Sequence, residues 1–422
     1  MSSKLSRILP LLVAAAVTTA AGCTESFDGG AACPALCPAP DSDFRDTIIE
    51  AVSLDSAVGG FPTLGLSATL LLANRPDTLV TRGVFRFDAL TSDYLPNGGT
   101  VSDSIRAIDS VYLRLPLDST GRRGTTPVTL SVFDVDTTQS DSVNAVVRSL
   151  FRPDRLLGSV TFTPASTGDS LRVPLSRSAV LAKVMARGRL RVGLQFTSGS
   201  GQIRVVAFSG GNGAPTLTYD ASADTLFRPI IVSTTTSIAG LPSDAALAYQ
   251  VYSLLDLGSS APDATTLVVG GFPSYRTYMR FAIPSNLTDS GTIVRAELLL
   301  TQRPSTFANL ADSVDLVPLI PTTTDVVTDV RRILELSAEG IFAALDSTRL
   351  VPRDSGLRVL NVLSLVRSWR GFAANQPRAL AFRISREGGQ PAELRFFSKE
   401  AAPSLRPRLR LTYLPRTQVA LP

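Results

Sequence analysis

Residues 357–413 read LRVLNVLSLVRSWRGFAANQPRALAFRISREGGQPAELRFFSKEAAPSLRPRLRLTY, and residues 171–219 read LRVPLSRSAVLAKVMARGRLRVGLQFTSGSGQIRVVAFSGGNGAPTLTY. Each stretch opens on Leu-Arg-Val, passes a short helical turn, gives two alternating strands about a Gly-rich turn, and closes on Leu-Thr-Tyr. Tyr219 and Tyr413 stand 194 residues apart, as do the pairs Arg86-Phe87 and Arg280-Phe281. Other pieces recur in the same order: 296–300 (AELLL) answers 111–115 (VYLRL), 314–319 answers 128–135, and 325–336 answers 141–151. A spacing kept over so many pieces predicts one fold made twice, over residues 44–220 and 224–415.

The local pattern predicts an all-β sandwich or barrel. Short apolar runs at 66–72, 84–87, 111–115, 128–135 and 160–162 are separated by turn residues. Leu190, Val192, Leu194 and Phe196 alternate with Arg189, Arg191, Gly193 and Gln195, the period of a strand buried on one side. In the later copy the same alternation turns Leu380, Phe382, Ile384, Leu409, Leu411 and Tyr413 inward. Two segments break the period toward helical spacing. These are 141–151 and 176–187, the second with Ser176 as cap and Gly188 as stop, and they read as short helices covering the sandwich. Gly210-Gly211-Asn212-Gly213 reads as a hairpin turn.

Composition narrows the chemistry. With 422 residues, 44% hydrophobic and 18% charged, the chain is globular and long enough for two or three domains. It contains no histidine, and lysine occurs only at Lys4, Lys183 and Lys399. A serine triad of the usual kind therefore lacks its base, and a zinc hydrolase lacks its ligands. No glycine-rich phosphate motif is present. The acids are numerous but no pair stands out as glycosidase carboxylates. Asp134 and Asp136 are the best placed for a cation, but calcium needs six to eight oxygens, so no metal and no cofactor is expected. The net charge of +5 includes Lys4 and Arg7 of the leader, and no basic run tracks a phosphate backbone, so nucleic acid is not an expected partner.

The N-terminus reads as an address. Lys4 and Arg7 precede an apolar run over 8–21, too short to span a bilayer, in the order of a signal peptide covering residues 1–22. Ala20-Ala21-Gly22-Cys23 resembles a bacterial lipobox, although Ala20 stands where that pattern prefers leucine. The resemblance implies cleavage before Cys23 and acylation of its sulfur, with the membrane as partner through the anchor. Thr24 in place of an aspartate points to the outer membrane. Residues 23–43 form a flexible tether with a reach of roughly 25 Å. Within it Cys33 and Cys37 are expected to pair as a small disulfide loop in an oxidising compartment, with a metal site or a redox role as the alternatives.

The second copy carries a family resemblance in the succession 280–284 (RFAIP), 292–300 (TIVRAELLL), 362–369 (VLSLVRSW), 397–401 (FSKEA) and 406–413 (RPRLRLTY). It resembles the DNRLRE-type carbohydrate-binding module, a jelly-roll β-sandwich with a closing Pro-x-Leu-x-Val-x-Tyr strand. The first copy keeps Arg86-Phe87-Asp88 and Leu217-Thr218-Tyr219 but lacks the tryptophan and the Ser-x-Glu-Ala piece. The resemblance implies two tandem jelly-roll-like sandwiches in a lipoprotein that binds polysaccharide without catalysis. The alternative is a structural or adhesive envelope lipoprotein whose sandwiches are spacers or docking surfaces for another envelope protein.

Candidate contacts follow, each beside a plainer reading. Trp369, the single tryptophan, can stack on a sugar, but it follows Leu363, Leu365 and Val366 in a helical turn and core packing is favoured. Tyr249, Tyr252, Tyr275 and Tyr278 cluster in sequence; Tyr275 and Tyr278 are the candidates for an exposed platform, against ordinary core placement. Arg189, Arg191 and Arg204 in the first copy, and Arg383, Arg395, Arg408 and Arg410 in the second, fall on the polar face of strands. There they can grip carboxylates in bidentate fashion or simply face solvent.

Overall fold

The computed structural model describes residues 44–50, 52–62, 67–88, 90–137, 144–207, 213–226, 228–234, 251–284, 287, 291–321, 329–336, 342–344, 347–372 and 376–415. Signal peptide, Cys23, Cys33, Cys37, the Gly210 turn and Tyr249 lie outside them. The described chain is mostly strand, as its period-two patterning predicts. It opens with β1 (Arg45–Ile49) and β2 (Val52–Phe61). There follow β3 (Thr69–Arg75), β4 (Leu79–Phe87), β5 (Ile108–Pro116), β6 (Val128–Asp134), β7 (Leu156–Phe162) and β8 (Ser170–Pro174). Next come β9 (Leu190–Ser198), β10 (Gly201–Val206), β11 (Thr216–Ala221), β12 (Ile230–Ser233) and β13 (Val251–Leu257). The remainder supplies β14 (Thr266–Gly270), β15 (Ser274–Phe281), β16 (Gly291–Arg303), β17 (Val314–Pro321), β18 (Gly356–Asn361), β19 (Ala379–Ile384), β20 (Glu393–Phe397) and β21 (Arg408–Pro415).

These strands build two antiparallel sandwiches with the same order. In the first, one sheet runs β8-β5-β11-β12 and the other β10-β3-β4-β9-β6-β7, with β13 also paired to β4. In the second the corresponding runs, β18-β16-β21-β1 and β20-β14-β15-β19-β17, belong to one continuous sheet, because β16 also pairs with β20, Gln302 opposite Phe396, and β2 is paired to β15. Val251 of β13 lies opposite Phe85, and Asp55 of β2 lies opposite Met279, 194 residues after Phe85. Each sandwich encloses its own apolar core. Phe85, Phe87, Leu130, Val192, Leu194, Leu217 and Tyr219 fill the first, and Met279, Phe281, Leu298, Leu365, Trp369, Phe382 and Leu409 the second.

The pairing cuts across the sequence boundaries. β1 is hydrogen-bonded to β21, Arg45 opposite Tyr413 and Ile49 opposite Leu409, while β2 runs along β15. The first two strands of the described residues therefore complete the second sandwich. The first sandwich is instead completed by β12 and β13, which lie beyond Ala221. Contacts do not divide at the repeat junction: the chain from Phe44 to Pro422 is one compact unit. Sequence repeats locate equivalent strands but not which neighbour each strand pairs with, and that choice is made by long-range hydrogen bonds.

Among the described residues four α-helices cover the sheets: α1 (Asn144–Ser149), α2 (Arg177–Met185), α3 (Val330–Leu336) and α4 (Leu363–Ser368). In α2 the Ser176 hydroxyl accepts the Ala179 N–H, and Val180 and Val184 are buried, while Met185 points to solvent. Arg187, not Gly188, takes the left-handed conformation after this helix, with φ 50°. Helices α1 and α3 press on sheet faces away from the cores. Val147 of α1 packs with Phe133 and Tyr252, and Ile333 and Leu334 of α3 with Phe61 and Tyr278. Sheet faces that alternation assigns to solvent are thereby covered.

Candidate functional site

That covering decides the fate of the expected contacts. Tyr278 is buried against Phe61 and Leu319, and Tyr275 is buried with its ring against Gly59, where a Cβ would come within 2.9 Å of Cζ. Burial raises both phenols, and the Glu393 carboxylate raises Tyr275 further. They form no exposed platform. Tyr252 is also buried, in contact with the guanidinium of Arg191, which lies 5.5 Å from the ring centroid. Trp369 is fully buried, 6.0 Å from the Phe281 ring, in the core position favoured by its apolar neighbours.

The arginine row is not a row. Arg408 and Arg410 lie on β21, whereas Arg395 and Arg383 lie on β20 and β19, separated from β21 by β16 and from each other by β14 and β15. Arg410 pairs with Glu297 at 3.3 Å and Arg395 with the fully buried Glu393 at 2.6 Å. Arg383 and Arg408 are half-buried opposite Val317 and Leu299. In the first sandwich Arg191 and Arg204 are buried rather than solvated, and Arg189 bonds Asp136 at 3.0 Å. Asp134 and Asp136 are held by Lys183 and flanked by Arg155 and Arg189, so cations of the protein occupy the place considered for calcium. Burial pushes the Asp136 carboxyl up, but Arg189 and Lys183 outweigh it and hold it below the usual range.

Where the sandwiches meet, the residues converge differently. The outer face of β3 and β10 is met by the loop 304–312 and the turn 386–390. Leu71, Ala73 and Leu79 pack there against Phe272, Phe307 and Ala308. Beside this apolar contact lies an open polar groove of about 440 Å³, lined among others by Arg75, Thr78, Arg123, Thr306, Asn309 and Asp312. Arg75 donates to Asn309 Oδ1 at 2.7 Å, and Arg123 is ion-paired with Asp312. Arg204 reaches Asp118 at 3.3 Å and donates to the Thr120 hydroxyl, to which Arg386 also donates at 3.0 Å. Gly121 permits this approach, since a Cβ there would come within 2.3 Å of Arg204 Nε.

Electrostatics follow from the crowding. Burial lowers the affinity of Arg204 for its proton, Asp118 opposes this, and Arg386 and Arg123 add to it. Burial pushes Asp118 up, but the Thr120 N–H and hydroxyl, with Arg204 and Arg386, hold its carboxyl below the ordinary range. Among these residues only Arg204 was singled out by sequence, as an outward strand position. A second signal was present. Gly59-Gly60-Phe61-Pro62 and Gly270-Gly271-Phe272-Pro273 are identical tetrapeptides, and Phe61 lies opposite Ser274, so both sit where the sandwiches join.

No family model matches the chain, and no curated protein sequence matches it. Among solved structures, one titled BspA_C_mut aligns over 83% of this chain and 90% of its own, at 8% identity and a TM-score of 0.14. A structure of infectious bursal virus derived T=1 particles aligns over 88% and 74%, at 12% identity and a TM-score of 0.13. Overlaps this slight carry no inference.

Proposed function

We propose that the protein is a non-catalytic, lipid-anchored envelope protein, exported and held through Cys23, whose joined sandwiches are a stiff spacer or docking body for another envelope protein. One observation carries this reading: the opening strands β1 and β2 are built into the second sandwich, so the two halves share strands rather than a linker. A body laced in this way transmits position over its length, which separate domains on a flexible connection do not. The candidates for an exposed aromatic platform support it too, because Tyr275 and Tyr278 are spent on packing. Crosslinking in intact membranes is expected to capture one persistent protein partner, and to lose it when Cys23→Ala releases the chain. Absence of any reproducible partner would sink the reading.

A second reading keeps polysaccharide binding, in line with the resemblance to DNRLRE-type modules. It is favoured by the open groove, where the side chains of Arg75, Thr78, Thr306 and Asn309 offer mixed hydrogen-bonding groups. Affinity electrophoresis of the full exported chain through gels holding acidic or neutral polymers tests it. Unchanged mobility in all of them would exclude it.

A further inference from the structure

We infer that Arg204, Arg386 and Arg123 form a binding site for an oxyanion, a carboxylate or sulfate group, at the junction of the two sandwiches. The placement is built rather than incidental. Arg204 is 3% exposed and comes from β10 of the first sandwich, while Arg386 comes from the turn after β19 of the second. Both guanidinium groups donate to one neutral atom, the Thr120 hydroxyl oxygen. Like charges brought together on a hydroxyl repel one another, and a third guanidinium, Arg123, adds to the local field on Arg204.

The carboxylates present do not balance them. Asp118 serves Arg204, and Asp312 serves Arg123. Among the described residues neither Arg386 nor Arg75 has a carboxylate within ion-pairing distance. Arg386 and Arg123 are exposed, so their remaining donors are open to a ligand arriving from solvent. A planar fork of N–H donors suits a carboxylate or sulfate, which accepts from two forks at once. Because the donors come from both sandwiches, a bound anion also fastens the junction.

The inference is independent of the spacer reading, which uses no anion. It is tested by calorimetric titration of the full exported chain with sodium sulfate and with an oligouronate, against sodium chloride at matched ionic strength. Saturable one-site binding is expected, weakened at least about tenfold by Arg386→Ala or Arg123→Gln and unchanged by Arg349→Gln. Equal affinity for sulfate and oligouronate identifies a small free ion as ligand; a preference for the oligomer identifies a polymer. Thr120→Asp places a carboxylate between the two guanidinium groups. It is expected to remove the response to sulfate, the place of the anion then being filled from within. Titrations that superimpose on chloride, or binding that survives in the Arg123→Gln/Arg386→Ala chain with its folded spectrum intact, would overturn the inference.

Discussion

Arg82 and Arg276 hold the same position in the two sandwiches, 194 residues apart, and each clamps a strand brought from the other repeat. Arg82 of β4 pairs with Asp256 on β13 at 2.6 Å, lies 4.9 Å from the Phe151 ring, and donates to the Arg148 carbonyl of α1. Arg276 of β15 pairs with Glu387, lies 4.2 Å from the Phe61 ring on β2, and donates to the Leu334 carbonyl of α3. The parts are the same: a carboxylate, a ring and a helix carbonyl. The settings differ, since the Arg82 side chain is 20% exposed and that of Arg276 only 3%. The strand that comes from after the first sandwich in sequence, β13, is held by a wet clamp. The strand that must return from the chain's start, β2, is held by a dry one.

Removing the returning strands is expected to have the largest effect. A chain beginning at Ser67 keeps every strand of the first sandwich and lacks β1 and β2 of the second. Trp369 fluorescence reports the second sandwich alone. Its unfolding transition is expected to vanish or fall to low denaturant while a circular-dichroism transition persists. In the full chain the two signals are expected to coincide, as one cooperative unit requires. If the shortened chain unfolds like the full one, β1 and β2 do not hold the second sandwich.

The clamps themselves come next. Glu387→Ala leaves the Arg276 guanidinium buried without its carboxylate and is expected to cost about 3–5 kcal/mol in denaturant unfolding. Asp256→Ala, at the wetter clamp, is expected to cost no more than about 1 kcal/mol. Equal losses would mean that burial does not distinguish the two positions. Replacing both buried partners, Arg276→Met with Glu387→Leu, is expected to recover much of the Glu387→Ala loss, because no charge is then left unpaired.

Acid gives the smallest effects, and opposite signs at two aspartates. Asp136 is held below its ordinary value of 3.8, so its contribution is present above that pH and is lost as pH falls through the lowered value. Asp136→Asn is expected to lower the midpoint at pH 7 and to make progressively less difference as pH falls below 3.8. Asp55 on β2 is raised by burial, with the Lys399 N–H opposing. Its ionised form is disfavoured in the fold, so the penalty is present at neutral pH and disappears as pH falls below 3.8. Asp55→Asn is therefore expected to leave stability unchanged or raise it at pH 7. Unfolding midpoints at several pH values check both.

The inward strand residues were legible because a period of two leaves little choice. Leu190, Val192, Leu194 and Phe196, and later Leu380, Phe382, Ile384, Leu409 and Leu411, are all buried. The other face was not legible, since alternation says which residues share a side and nothing about what covers that side. Arg191, Arg204, Arg276 and Glu393 are polar, lie on strands, and are buried, because helices and the opposite sandwich close over them. Partners from distant segments meet part of this polarity, such as Glu387 for Arg276 and Ser305 for Glu393, while Arg204 Nε and Glu393 Oε2 are buried without a hydrogen-bond partner. The junction site escaped notice for the same reason. Arg204, Arg386 and Arg123 meet only after the sheets have formed.

The contact of β1 with β21 has a consequence for how the chain can be cut. Arg45 lies opposite Tyr413, so the start and finish of the fold are neighbours in one ladder. Topologically the molecule is a circle with a single nick. Of its two equivalent junctions, β11 to β12 is covalent and β21 to β1 is sealed by hydrogen bonds alone. A gene permuted to join residue 415 to residue 44 and opened near Ala223 would encode the same circle with the nick moved half-way round.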